Sequence, residues 1–309
     1  MAIQGTTDQA AVETTSGLLG RITRMTLSVL SVILRTNTGR VGFAIVMVHL
    51  TLAVFGPLLT PYPPTEYHLA DRFEGPSWDY WLGTDENGRD VLSRVLAGAR
   101  SIIWISVIGT ILGVTLGTVV GVTSGYLGGK IDQFIMRIVD WFLAFPSLLL
   151  ALLIISMGAQ RFHISESWLI IFTIGISFMP NNSRVIRSAT LGIKPLEFVQ
   201  SARLRGEPTW YIMFREVLPN VLPVVAVEAT IRLSFALLLT AGLGFLGLGV
   251  QPPTPDWGLM VSENSDHLGT VPYAALAPGA AMASLVIGIN LLSDGIRQGQ
   301  QLPLTEADQ

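Results

Sequence analysis

The sequence contains no cysteine and has few charged residues. Without cysteine it forms no disulfide, no thiolate nucleophile and no cysteine-based metal site. Charged residues make up 13% of the 309 positions, against roughly 25% in soluble domains, whereas 50% are hydrophobic. The 22 acidic and 19 basic residues nearly cancel, so net charge indicates no nucleic-acid partner. This composition is typical of a protein that lies in lipid.

Motifs for catalysis and nucleotide binding are also missing. The segment nearest to a phosphate-binding loop has Ser124 in place of the first glycine and Ile131 in place of the hydroxyl residue that would hold magnesium. The histidines are far apart, and none lies in an H-E-x-x-H pattern; they are His49, His68, His163 and His267. We therefore predict no catalytic residue, metal site or cofactor in this chain. Any ATP and magnesium would be bound by partner polypeptides.

Long apolar runs hold most of the hydrophobic residues. A helix that crosses a bilayer needs about 20 mostly apolar residues. The runs 41–60, 101–126, 134–158, 221–249 and 273–292 meet this length, and a shorter run at 168–180 does so when it is extended toward residue 189. The predicted fold class is therefore an all-α integral membrane protein with six transmembrane helices.

Lysine and arginine are concentrated on one side of these spans. They flank mainly the ends that share a side with the N-terminus, which predicts that both termini are cytoplasmic. The chain then divides into a cytoplasmic segment (1–40), a first span (41–60), an extracytoplasmic loop (61–100), a transmembrane core (101–293) with a cytoplasmic loop (191–219), and a cytoplasmic tail (294–309). Residues 17–35 are expected to form either an amphipathic surface helix or a frayed tail.

Glycines stand at every fourth position from Gly109 to Gly129. Small residues at this spacing let neighbouring helix backbones approach closely in lipid, where no hydrophobic force drives helices together. We expect tight helix packing here, and a pore-lining role is the alternative.

Charged and glycine-rich features mark the fifth span. Glu228 and Arg232 are four residues apart, the spacing of a helical ion pair. Because an arginine near a helix centre costs about 2.5 to 3.5 kcal/mol on insertion scales, the pair should face protein or water, either as a structural pair or along a transport path. At the end of this span, Gly247 and Gln251 are candidate gate residues, and simple span termination is the alternative. Trp257 is expected at the membrane interface.

A long charged segment, 191–223, separates the fourth and fifth spans. Pro195 and Gly206 stand where a short helix would begin and end, and Pro208 and Pro219 bracket a second one. The pattern predicts a helix–turn–helix elbow.

The first helix of this elbow has an apolar face that contains Phe198 and Ala202, which are four residues apart. That face either docks into a groove on a partner protein or packs against its own bundle.

The elbow resembles the E-A-A-x-x-x-G loop of ABC importer permeases. Gln200-Ser201-Ala202, then Gly206, and later Leu218-Pro219 align with that pattern, although its leading Glu is Gln here and its first Ala is Ser. In that family a short coupling helix inserts into a cleft of the ATPase subunit. The resemblance implies an ATPase contact formed by Gln200, Ser201, Ala202, Arg203, Leu204, Gly206, Leu218 and Pro219.

Four further blocks, at 82–94, 140–150, 244–258 and 290–297, are similar to the dipeptide, oligopeptide and nickel permease family, and most of all to its second permease subunit. The family implies a type I ABC importer permease architecture in the inner membrane of a bacterial-type cell. It also implies four kinds of partner: a second homologous permease subunit, two ATP-binding subunits, an extracytoplasmic solute-binding protein and membrane lipid. The expected function is a permease subunit of an ATP-driven importer for di- or oligopeptides or a related small solute.

The residues themselves leave two other functions open. An ion-coupled secondary transporter would need intramembrane acids, for which Asp140, Glu228 and Asp294 are the candidates. A membrane scaffold or receptor would use the loop at 191–219 to bind a signalling partner. In the first block, Thr84 or Asp85 is expected to cap a helix that leads into the second span.

Overall fold

A computed structural model describes residues 33–162 and 164–301 of the chain. The segment 17–35 lies, apart from its last three residues, outside the described residues, and so do His163 and residues 302–309. Within the described ranges, five helices are long and apolar enough to cross a bilayer, and one bent pair of helices makes a sixth candidate span. The predicted all-α membrane fold is confirmed.

The helices in chain order are α1 (Asn37–Phe55), α2 (Val91–Leu127), α3 (Gly129–Leu143), α4 (Ser147–Phe162), α5 (Glu166–Ile193), α6 (Glu197–Leu204), α7 (Thr209–Phe245), α8 (Trp257–Glu263) and α9 (Pro272–Gln301). α2 is central and contacts α1, α5 and α7, while α9 packs against α1 and α7. The short helices lie at opposite ends: α6 at the elbow end of the bundle, and α8 with the loop before α2 at the cap end.

The glycine row joins α2 to α5, as expected. A Cβ atom added at Gly117 would lie 2.6 Å from the side-chain nitrogen of Asn182, and one at Gly125 would lie 2.9 Å from the Cβ of Thr190. Asn182 also donates a hydrogen bond of 2.8 Å across this seam to a backbone carbonyl of α2. Only glycine lets the two backbones come this close. The row ends there, because Gly129 faces open space and begins α3 with φ of +59°.

The third predicted span is broken. Its two parts, α3 and α4, meet at an angle of 82°. The break contains Pro146, whose ring removes an N–H donor and disfavours a helical conformation at Phe145, so the helix stops and restarts. The predicted span at 134–158 is therefore a bent pair of helices, which remains the sixth candidate span.

Two predicted helix limits are wrong. α2 begins at Val91, where the Asp90 carboxylate accepts a hydrogen bond of 2.8 Å from the Ser93 N–H, so neither Thr84 nor Asp85 is the cap. α7 runs from Thr209 through Pro219 without ending, because a π-helical turn at Ile212–Val217 precedes the proline. That irregular turn places Pro219 in the first turn of the following regular segment, where a missing N–H costs least.

The packing of the glycine row predicts different effects on stability for alanine substitutions at two glycines. Gly117→Ala would push a methyl group against Asn182 and the carbonyl of Met179, so we expect a loss of about 1 to 3 kcal/mol in stability. Gly242→Ala is the matched control, because a Cβ there meets no atom within 4 Å and alanine favours a helix by about 1 kcal/mol. The melting temperature in detergent should fall for Gly117→Ala and stay level or rise for Gly242→Ala. Equal melting temperatures would contradict the assigned packing.

Candidate functional site

One face of α6 is anchored to the bundle. Val199 and Ala202 are fully buried in a cluster that includes Val217 of α7. Arg203 adds a polar contact, since its Nε donates a hydrogen bond of 3.1 Å to the Tyr126 hydroxyl and its guanidinium lies 5.0 Å from the centre of that ring. Of the two alternatives for the apolar face of the elbow, packing on its own bundle is the one the structure shows.

The opposite face of α6 is open. Leu204 is 90% exposed, and Gln200 and Ser201 are exposed beside it. Trp210, at the start of α7, is 62% exposed. Uncovered apolar side chains of this size, surrounded by polar residues, are typical of protein contact surfaces.

A left-handed glycine closes the elbow, as predicted. α6 ends at Leu204, and Gly206 follows with φ of +76°, a conformation that side chains with a Cβ rarely adopt. The Glu207 N–H donates a hydrogen bond of 3.2 Å to the Ala202 carbonyl and so caps the helix. Arg205 lies 3.6 to 3.7 Å from the carboxylates of Glu207 and Glu216, which joins the turn to α7.

The last two residues of the coupling motif lie on α7. Leu218 is half-buried against the same apolar cluster as Ala202, while Pro219 is exposed. The structure therefore brings the whole predicted set together at the elbow end, with some members inside the packing and others at the surface.

The predicted ion pair inside α7 is present. Arg232 Nε and Nη2 lie 2.6 and 2.5 Å from Glu228 Oε1. Glu228 is 5% exposed and 18% of the Arg232 side chain is accessible, so the pair is shielded by protein rather than surrounded by lipid. Nearby, Thr230 donates a hydrogen bond of 2.9 Å to Ser293 and joins α7 to α9.

Gly247 and Gln251 lie apart from this pair, in the turn that follows α7. Gly247 has φ of +73°, and the Gln251 side-chain amide donates hydrogen bonds of 3.0 Å to the carbonyls of Gly247 and Gly249. The turn folds α8 back onto α7, where a Cβ at Gly258 would lie only 2.3 Å from the Ala241 carbonyl. Gly244 and Gly258 therefore serve a close contact between α7 and α8, whereas Gly247 serves the turn itself.

A buried ion network, which no sequence pattern indicated, holds the cap end. Arg89 lies 2.8 Å from Asp85 and 2.9 Å from Glu263, and Arg94 contacts the same two carboxylates. Asp85, Arg89 and Arg94 are each at most 3% exposed. Burial alone would lower the pKa of the Arg89 guanidinium, but the carboxylates of Asp85 and Glu263 outweigh burial and raise it. The network fastens the loop before α2 to α8.

Trp257 is fully buried beside this network, so its expected place at the membrane interface was a wrong prediction. Its ring packs on Gly98, and its Nε1 donates a hydrogen bond of 2.8 Å to the Val95 carbonyl. The preceding Asp256 caps α8 by accepting a hydrogen bond of 3.0 Å from the Leu259 N–H. Burial raises the pKa of the Asp256 carboxyl to about 6.

Residues 109–300 match the family described as the inner membrane component of binding-protein-dependent transport systems. This chain belongs to that family. It is 36% identical over 257 residues to the dipeptide transport system permease protein DppC of Alkalihalophilus pseudofirmus, covering 83% of each chain. It is 35% identical over 266 residues to the glutathione transport system permease protein GsiD of Pectobacterium atrosepticum, covering 85% of this chain and 86% of that protein.

A further relative, GsiD of Salmonella paratyphi A, is 38% identical over 265 residues, which is 85% of this chain and 86% of that protein. Among solved structures, an inward-facing MetNI methionine ABC transporter covers 67% of this chain and 96% of its own, with a TM-score of 0.56 and 19% identity, a likeness that shows the fold. The chain is thus a multi-pass inner membrane component of a binding-protein-dependent transport system, and the relatives named above are transport permeases rather than enzymes. Family membership decides against the secondary transporter and the receptor.

The buried carboxyl of Asp256 makes the stability of the permease depend on pH. Because its folded pKa of about 6 exceeds the usual 3.8, the folded state holds the proton more tightly, and stability falls as pH rises from about 4 through 6. Asp256→Asn keeps a capping side chain but does not titrate, so its melting temperature should decline less between pH 4.5 and 7.5. The difference amounts to about 1 to 3 kcal/mol. Asp79→Asn, at an exposed carboxylate, should leave the wild-type pH dependence unchanged; identical profiles for all three proteins would contradict the burial effect.

Proposed function

We propose that this permease forms half of the translocation path of an importer for di- or oligopeptides or a related small solute, and that α6 is its contact with the ATPase. The observation that carries the proposal is the division of α6 into one fully buried face and one open face with Leu204 at its end. The named solutes of relatives at 35 to 38% identity, dipeptide and glutathione, support the solute class.

The contacts of α6 support its role in coupling. Its buried face contacts α7 through Val217, and Arg203 contacts the last turn of α2 through Tyr126. α2 and α7 are each 37 residues long and run to the cap end of the bundle. A push on the open face of α6 would therefore move two helices that reach the other side of the membrane.

The coupling residues divide by this geometry into two groups. Gln200, Ser201 and Leu204 supply the surface that meets the ATPase. Ala202, Arg203, Gly206, Leu218 and Pro219 set the shape and the attachment of the elbow. Two ATP-binding subunits, which hold ATP and magnesium, would dock on this permease and on a second homologous permease subunit.

The orientation follows from the same assignment. The elbow end and both termini face the cytoplasm, and the cap end faces outward, where a solute-binding protein delivers its cargo. Basic residues around the elbow, including Lys130, Lys194 and Arg215, support this direction. We assign Glu228 and Arg232 to the wall of the path, and Gly247 and Gln251 to its outer rim.

Leu204→Gln tests the coupling contact. The side chain is already in solvent, so the fold should be unaffected, but an ATPase groove would lose the burial of one leucine, about 1.5 to 3 kcal/mol. We expect co-purification of the ATPase and uptake of a labelled dipeptide to fall roughly ten- to hundredfold. Leu69→Gln is the control, because this leucine is 64% exposed in the loop before α2. Normal ATPase retention by Leu204→Gln would remove α6 from the contact.

Orientation is tested by thiol labelling, because the chain has no native cysteine. Trp78→Cys places a single thiol at a residue that is 97% exposed at the cap end, and Arg205→Cys places one at the exposed elbow turn. A membrane-impermeant maleimide applied to spheroplasts should label position 78 at once and position 205 only after permeabilisation. The reverse pattern would overturn the assigned orientation.

A further inference from the structure

An open groove runs between α1 and α2 in the half of the bundle nearer the cap end. Leu50 and Val54 of α1 form one wall, and Ile103, Trp104 and Val107 of α2 form the other. Val54 is 64% exposed and Trp104 is 43% exposed, so the apolar lining is open to the surroundings of the bundle. An apolar groove on the outside of a transmembrane bundle faces acyl chains.

Arg100 stands at the cap-side end of this groove. It is exposed, and within the described residues no carboxylate forms an ion pair with it, in contrast to Arg89 and Arg94 on the same side of the molecule. The long apolar run of α2 begins directly after it. An unpaired guanidinium at the edge of the hydrocarbon layer extends toward the headgroup level and attracts anions there.

The position of α1 gives the depth of Arg100. Gly56, just after α1, meets the backbone of Leu96, so Arg100 lies about one helical turn further along α2 from the cap end, inside the candidate span Val91–Leu127. Trp104 follows one turn later, and its ring contacts Trp168 at 5.9 Å between centroids. Tryptophans of this kind are enriched at the level of lipid headgroups, where a phosphate would meet the arginine.

We propose that this groove is a binding site for one anionic phospholipid, with an acyl chain along Leu50, Val54 and Trp104 and the phosphate on Arg100. A second permease subunit is the less suitable occupant. The exposed Arg100 suits the phosphate of a lipid headgroup, whereas a second subunit in the groove would have to supply a carboxylate of its own to meet this charge. The inference does not depend on the solute or on the coupling role of α6.

Lipid titration of the full-length permease tests the site. Native mass spectrometry of the delipidated protein would compare phosphatidylglycerol with phosphatidylcholine of the same acyl chains. The wild type should prefer phosphatidylglycerol, and Arg100→Gln should bind this lipid about fivefold more weakly, as expected for one arginine near the membrane surface. Arg137→Gln removes an equal charge away from the groove and should keep the preference. Val54→Trp fills the groove and should weaken the binding of both lipids to the same extent.

Two results would overturn the site. One is a lipid titration without a headgroup effect, seen either as equal binding of phosphatidylglycerol by Arg100→Gln and Arg137→Gln or as no headgroup preference in the wild type. The other comes from a photo-crosslinking amino acid in place of Leu50 in the assembled transporter. It should yield a lipid adduct, and an adduct with a protein subunit would show that the groove is an interface between chains.

Discussion

The close contact of α2 with α5 is the constraint on which the rest of the permease depends. In lipid, helices gain nothing from hiding apolar surface, so association needs backbones that fit closely. The glycine row supplies that fit, and it brings polar groups into register across the seam. At its elbow end, Arg187 on α5 lies 2.6 and 2.5 Å from the two carboxylate oxygens of Asp132 on α3. A shift of α5 along α2 would break this bidentate pair. It would also move the apolar cluster against which α6 packs.

The two ends of the bundle are held by opposite means. At the cap end, buried charges close a network among Asp85, Arg89, Arg94 and Glu263, and breaking one member would leave an uncompensated buried charge that costs several kcal/mol. At the elbow end, α6 is attached by a buried apolar cluster and by the Arg203–Tyr126 hydrogen bond, and Arg205 in the exposed turn forms only long, solvated ion pairs. Removal of one charge should therefore destabilise the fold more at the cap end than in the exposed turn of the elbow.

Sequence predicted the features that depend on local chemistry. Apolar length located the spans, the four-residue spacing located the glycine seam, and Gly206 marked the end of α6 because no other residue takes that backbone conformation easily. Features set by distant contacts were missed. Glu263 completes the ion network far along the chain from Asp85, and Trp257 is buried because Gly98 leaves room for its ring. α7 continues through Pro219 because a π-helical turn precedes this proline, and no sequence pattern predicts such a turn.

The elbow carries apolar surface that the fold of this permease does not use. Leu204 is 90% exposed and gains nothing from the fold, and α6 is a separate short helix between the spans α5 and α7. Burial of Val199 and Ala202 already satisfies the packing of α6, so the exposed side chains are not needed for its stability. Leu204 and Trp210 remain as apolar surface in contact with water, and the ATPase contact proposed above would cover them.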